Sequence, residues 1–251
     1  MTRIPLRSAC AALVLLASVP AAAQTVTFGG DRGAGCVAVP AGAQTHVLPV
    51  TGSVAAGETA VLNVATTADL PPGTVTDTKG NAWTVDNVRA GAGYRVSTVS
   101  TRVTAGLTNA DSVTIPYTNG TGSTQTSCAG LVRFTNVVTG AGYLDQVGSA
   151  EGTGTVQSVS TNAATSQSNE LLVVAFAYTA ATGGFSIPGP YSPTSAACSA
   201  PFCLSPGYRI VGTAGVQTAT GGTNNAVPWG GVLTSYRDVV VPVELQRLSA
   251  E

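Results

Sequence analysis

The chain predicts an all-β fold, an antiparallel β-sandwich, preceded by a signal peptide. Three observations carry that expectation. No long segment places apolar residues at i, i+3, i+4 and i+7, so the period of an amphipathic helix is missing. Short runs that alternate apolar and polar residues recur along the chain, separated by Gly, Asn, Asp and Pro clusters with turn chemistry. Glycine is abundant, 30 of 251 residues, and punctuates the sequence throughout.

The amino terminus sets the compartment. Arg3 and Arg7 form a positive region, Ala11 to Val19 an apolar stretch, and Ala21-Ala22-Ala23 a small-residue cleavage site ahead of Gln24. The apolar stretch falls short of the about 20 residues that span a bilayer. Cys10 precedes that stretch, whereas a lipid-accepting cysteine would follow it. The expectation is a cleaved signal at 1–23, no membrane anchor, and a secreted or periplasmic protein. Residues 24–52 are expected to form an amino-terminal arm or first strand, and 53–251 a single β-sandwich domain.

The 11 basic residues include Arg3 and Arg7, so cleavage leaves nine against 12 acidic ones. Without a basic cluster, nucleic acid is not an expected partner. Charged residues make up 9 % of the chain against 44 % hydrophobic, so a core can form while hydroxyls and amides supply the solvated surface.

Cleavage also removes one of five cysteines, leaving Cys36, Cys128, Cys198 and Cys203. An even count in an exported chain argues for disulfides, in one of three pairings. Cys198 and Cys203 bracket the short loop Ser199-Ala200-Pro201-Phe202 and are paired on that ground; Cys36 with Cys128 follows by elimination. The second pair closes a long loop, worth about 4 kcal/mol in the chain-entropy account. With a single histidine, His46, no metal site is expected, and no cofactor.

Along the chain, Glu58 to Thr66 reads as a strand with Ala60, Leu62 and Val64 on one face. Thr74 to Thr76 and Ala82 to Val85 read as a hairpin about the turn Asp77-Thr78-Lys79-Gly80-Asn81. Tyr94 to Val103 is a strand whose apolar spacing shifts between Val96 and Val99, as a bulge would cause. Ser112 to Thr118 alternates at Val113, Ile115 and Tyr117, and Pro116 places it at an edge or a bulge. Cys128 to Val138 and Thr155 to Ser160 follow, with a glycine-rich stretch between them. Leu171 to Tyr178 is apolar at eight consecutive positions, the mark of a central strand covered on both faces. Gly183 to Gly207 reads as a long stapled loop. Tyr208 to Thr220 and Val227 to Arg237 read as a hairpin about Gly221 to Asn225, and Val239 to Leu245 as a last strand.

Three fragments, Asp77-x-x-Gly80-Asn81-x-Trp83, Gly142-Tyr143-x-Asp145-x-Val147-Gly148 and Asn169-Glu170-Leu171-Leu172-Val173-x-Ala175, together resemble a group of secreted bacterial β-sandwich domains. Those domains are similar to jelly-roll and immunoglobulin-like modules of surface proteins and phage-related structural proteins. The resemblance spans about residues 55 to 237. It implies a fold of that type and carries over no catalytic residue.

A serine nucleophile needs a nearby base, and His46, expected at a surface or strand end, stands outside any Gly-x-Ser-x-Gly elbow. A glycosidase could use Asp145 and Glu151, but the remaining acids are scattered rather than alternating along one strand. Asp77, Asp86, Asp111 and Asp145 could hold calcium, but no acidic loop motif gathers them, and Asp77 and Asp111 suit turns. Asn119-Gly120-Thr121 matches a glycosylation acceptor and also an ordinary turn. Trp83, Tyr191 and Trp229 are the candidate carbohydrate contacts. The tryptophans fit a core equally well, whereas the Pro-flanked Tyr191 is expected exposed. The expectation is a non-catalytic secreted module with a structural, adhesive or surface-interaction role, its partner a glycan or another surface protein. The alternatives are a carbohydrate-binding module and a glycan-processing enzyme.

Overall fold

The computed structural model describes residues 25–67, 70–91, 93–137, 142–179, 184–200 and 202–238. The signal segment and the strand expected at Val239 to Leu245 lie outside the described residues. Within them the chain is all β, in the order β1 (Thr27–Val39), β2 (Gly42–Pro49), β3 (Thr59–Thr67), β4 (Thr76–Asp77), β5 (Thr84–Gly91), β6 (Tyr94–Arg102), β7 (Ser112–Asn119) and β8 (Gln125–Thr135). There follow β9 (Leu144–Ser160), β10 (Leu171–Thr179), β11 (Phe185–Ser186), β12 (Ser192–Pro193), β13 (Ala197–Ser199), β14 (Phe202–Ile210) and β15 (Thr218–Tyr236).

These strands form three antiparallel sheets stacked as layers. The front sheet runs β2-β7-β4 and the middle sheet β1-β8-β3-β6-β5. The back sheet runs β11-β15-β10-β14-β12, with β9 added to β15 and β13 to β14. Successive side chains on a strand point to opposite faces, which explains the stacking. On β3, Ala60, Leu62 and Val64 enter the front core with Val113, Ile115 and Tyr117 of β7. Its intervening Val61 and Ala65 enter the two clusters shared with the back sheet. β10 repeats the pattern: Leu171, Val173, Ala175 and Ala177 face the middle sheet, and Leu172, Val174, Phe176 and Tyr178 face outward. All eight positions from Leu171 to Tyr178 are buried, as a strand covered on both faces requires. Burying a Leu, Val or Phe side chain contributes roughly 1.5–3 kcal/mol.

Among the described residues, no fourth sheet lies on the outward face of β10. Ile187 and Tyr191 cover it from the loop before β13, and Val159, Ala219 and Val227 cover it from the far half of the β9–β15 ribbon. That ribbon folds back on itself: the Asn162 amide donates to the Val147 carbonyl at 2.9 Å. A Cβ on Gly148 would fall 1.8 Å from the Ser160 carbonyl oxygen, so only glycine fits at the crossing.

Several expected elements are reassigned. The flanks of the Asp77–Asn81 turn do not form a hairpin, because β4 pairs with β7 and β5 with β6. The turn is a corner between the front and middle sheets. The bulge expected in β6 lies in its partner β5, at Asp86, between the pairs Val85↔Val99 and Asn87↔Thr98. The apolar spacing of β6 shifts because both its faces are buried: Val96 points to the back sheet and Val99 to the front. The glycine-rich stretch after Tyr143 belongs to β9, and Gly221 to Asn225 lies inside β15, where the register breaks between Gly222 and Val227. Phe202 to Gly207, expected in a loop, belongs to β14 beside β10. Residues 27–49, expected as an arm or a first strand, form two strands, one in the middle sheet and one in the front sheet.

Pro116 is accommodated at β7 by direction. Its carbonyl accepts from the Gly73 amide at 2.7 Å, so its ring nitrogen also faces that side, where β4 has not yet begun, and not the β2 ladder. Cys36–Cys128 bridges directly opposed residues of β1 and β8, and Cys198–Cys203 opposed residues of β13 and β14. Both pairings read from the sequence are therefore formed.

Candidate functional site

The three aromatic candidates separate once their surroundings are known. Trp229 is 7 % exposed, and its ring meets Phe176 edge-on at 6.2 Å in the outer core of the back sheet. Tyr191, expected at the surface, is 4 % exposed in the same core. Its loop folds inward because the outer face of β10 must be covered, and burial pushes its hydroxyl well above the usual tyrosine range. Trp83 alone remains half-buried, one side packed on the front core.

The Asp77 carboxylate fixes Trp83. It accepts from the Trp83 indole Nε1 at 2.8 Å, the Lys79 amide at 2.8 Å, and the Asn81 amide and Nδ2 at 3.2 and 3.0 Å. Gly80 supplies the positive φ of 75° that this tight turn needs. Asn81 is buried, and its Oδ1 accepts from the Thr104 amide and hydroxyl and the Ala105 amide. The motif Asp77-x-x-Gly80-Asn81-x-Trp83 is thus a rigid corner presenting one indole. That indole walls a shallow cleft of about 390 Å³ with Pro72, Thr74 and Val85. A second cleft of about 270 Å³ shares Pro72 and Gly73 and continues to Pro116 and Thr118. The sequence reading did not single out Pro71 and Pro72, although two successive prolines between two strands mark a stretch that cannot donate to a ladder.

Comparison of the chain with family models, with curated proteins and with solved structures finds no match.

The carboxylates hold the fold together. Asp86, on the β5 bulge, accepts from the hydroxyls of Tyr143 and Tyr236, and so ties the middle sheet to the back sheet. Burial pushes its pKa up, against those hydrogen bonds, and burial with Asp86 raises Tyr143 to about 12. Asp111 accepts from Thr78 Oγ1 at 2.7 Å and from the Thr108 amide and hydroxyl. Thr78 first, then Thr108 and Lys79, outweigh burial and hold its carboxyl down to about 2.

Asp145 and Glu151, weighed as a glycosidase pair, are six residues apart on β9, about 20 Å along a strand. Retaining and inverting glycosidases need about 5–9.5 Å. Glu151 pairs with Arg89. Asp145 is instead bonded to Arg237 at 2.8 Å and the Ser166 amide at 2.7 Å, and it faces Glu170. Burial works to raise Asp145, but Arg237 and Ser166 outweigh it and keep the carboxyl below its ordinary value. Burial, together with Asp145, raises Glu170. The sequence pointed to Asp145 but not to its buried neighbour Glu170, which follows it by 25 positions and meets it only through the back sheet.

His46 is not at the surface. It is 1 % exposed, because alternation along β2 turns His46 and Leu48 into the front core. Its Nδ1 lies 2.9 Å from Ser127 Oγ, which also meets the Tyr117 hydroxyl at 2.7 Å. This serine–histidine contact is sealed from solvent. Asn119 is 2 % exposed, and its Nδ2 donates to the carbonyls of Val39 and Ser123, so the acceptor motif here is a turn. Among the described residues, no group of three or more His, Cys, Asp or Glu could hold a metal ion.

Proposed function

We propose that this chain is a non-catalytic, extracytoplasmic β-sandwich module that serves as a surface-interaction or structural element of a secreted or periplasmic assembly. One observation carries the reading: the side chains that could do chemistry are spent as braces between layers. Asp77 pins a corner, Asp86 joins two sheets through two tyrosines, Asp145 and Glu151 each hold an arginine, and His46 is sealed in a core. The disulfides suit an oxidising compartment, in keeping with the signal segment. The three-fragment resemblance to bacterial surface-protein domains points the same way.

The test has two parts. Expressed with its leader in a bacterium, the protein should be recovered outside the cytoplasm with Gln24 at its amino terminus and no free thiol. Incubated with neutral and acidic polysaccharides, it should release no new reducing ends. Release that Asp145→Asn or Glu151→Gln abolished would overturn the reading.

A further inference from the structure

We infer that the groove formed by the two clefts beside Trp83 is a binding site for a neutral oligosaccharide chain. The inference rests on the interaction-module reading and names its ligand class.

The groove follows from chain chemistry. Pro71 and Pro72 have no amide to donate, and the Gly73 amide after them donates to the Pro116 carbonyl of β7 at 2.7 Å. β4 is two residues long, so the front sheet ends early and leaves a trough against the edge strand β5 of the middle sheet. Pro72 and Gly73 line both clefts, which together offer the volume that ordinary ligand sites occupy.

Its lining selects the ligand. One wall is the Trp83 indole, whose orientation is fixed before any ligand arrives. A fixed aromatic plate binds at low entropic cost, and its face suits the C–H face of a pyranose ring. Pro72, Val85 and Pro116 extend the apolar surface, and the exposed Thr74 and Thr118 add hydroxyls at either end. Among the described residues no charged side chain lines either cleft, and the nearby Asp77 carboxylate is already met by four donors. A neutral glycan complements an uncharged groove; an acidic one would find no cation. A proline-rich peptide is the lesser fit, since such ligands lie across aromatic-lined grooves. Here the neighbouring Tyr117 is 3 % exposed, which leaves a single plate.

The oxidised mature protein is titrated at millimolar concentration with cellohexaose, mannohexaose, hexagalacturonate and a proline-rich decapeptide, followed by amide and indole NMR. A neutral hexasaccharide should shift the Trp83 indole N–H and the amides of Gly73, Thr74 and Thr118, and leave the Trp229 indole unmoved. Affinity should fall at least about tenfold in Trp83→Ala and in Val85→Glu. Val85 is 52 % exposed, so the second variant tests the groove even where the first disturbs the corner. The inference fails if neither neutral hexasaccharide shifts these signals, if both variants bind as the parent does, or if only the acidic glycan or the peptide binds there. Hydrolysis of a probe would show as new anomeric signals in the same spectra. That outcome would overturn the non-catalytic reading, whereas silence without hydrolysis overturns the groove alone.

Discussion

His46 shows at the scale of one residue how burial becomes a property of the whole protein. Desolvation lowers its pKa to about 4, against 6.5 for a free imidazole. Between those values the unfolded chain binds more protons at this site than the folded one. Its contribution is therefore intact above about pH 6.5 and lost as the pH falls towards 4. The gap corresponds to about 3 kcal/mol. Asp86 and Glu170, both raised, act in the opposite sense, since the folded chain takes up their protons first. Comparison with His46→Asn isolates the imidazole, because asparagine can still meet Ser127. Between about pH 7 and about pH 4.5, the parent should lose about 2 kcal/mol more than the variant in urea titrations; parallel curves would remove His46 as the cause. The same scale shows which site residues the sequence could reveal. The spacing from Asp77 to Trp83 lies within one turn, so the motif itself encodes the corner. Tyr191 was misread because its local cues, prolines and glycine, describe a loop. Its burial depends on a distant fact, the bare outer face of β10.

At the scale of elements, strands with two buried faces were legible as unbroken apolar runs, as in β10, and those with one as clean alternation, as in β7. Connections were less legible, because turn residues signal a change of direction and not which sheet the chain joins next. The glycine-rich part of β9 was missed for a related reason: its glycines make room for a crossing and are not breaks. Gly148→Ala should therefore cost at least about 2 kcal/mol, since the new methyl meets the Ser160 backbone. Gly154→Ala, in the same strand, would find its nearest neighbour at 3.7 Å and should change stability by less than about 1 kcal/mol. Similar losses for both would refute the close crossing. The interface of middle and back sheets carries a second testable element. Asn63 on β3 and Thr234 on β15 are fully buried polar residues among apolar neighbours. Thr98 Oγ1 donates to Asn63 Oδ1 at 3.1 Å, whereas Asn63 Nδ2 and Thr234 Oγ1 have no partner among the described residues. Thr234→Val keeps the shape and removes the unmatched hydroxyl, so it should stabilise by about 1 kcal/mol, read as a rise of roughly 2–4 °C in Tm. A fall in Tm would show that the hydroxyl is satisfied.

For the whole molecule, the two disulfides brace the chain over different distances. Cys36–Cys128 spans 92 positions, a loop that holds all of the front sheet and most of the middle one. Cys198–Cys203 spans 5 and constrains only the β13–β14 corner. If loop entropy dominates, the first bond contributes about 4.5 kcal/mol and the second about 2 kcal/mol. Packing acts on both, because Cys128 and Cys203 each sit in a buried cluster, so replacing either pair removes buried sulfur. The difference between the pairs therefore reports the loop rather than the atoms. Cys36→Ala with Cys128→Ala should lower stability by about 2–3 kcal/mol more than Cys198→Ala with Cys203→Ala, compared by urea denaturation of the oxidised proteins. Equal losses would place the effect in local packing instead. A larger loss from the short loop would mean that the β13–β14 corner, which rests against β1 through the Asp31 carboxylate and the Ser195 amide at 3.1 Å, governs how the back sheet seats on the middle one.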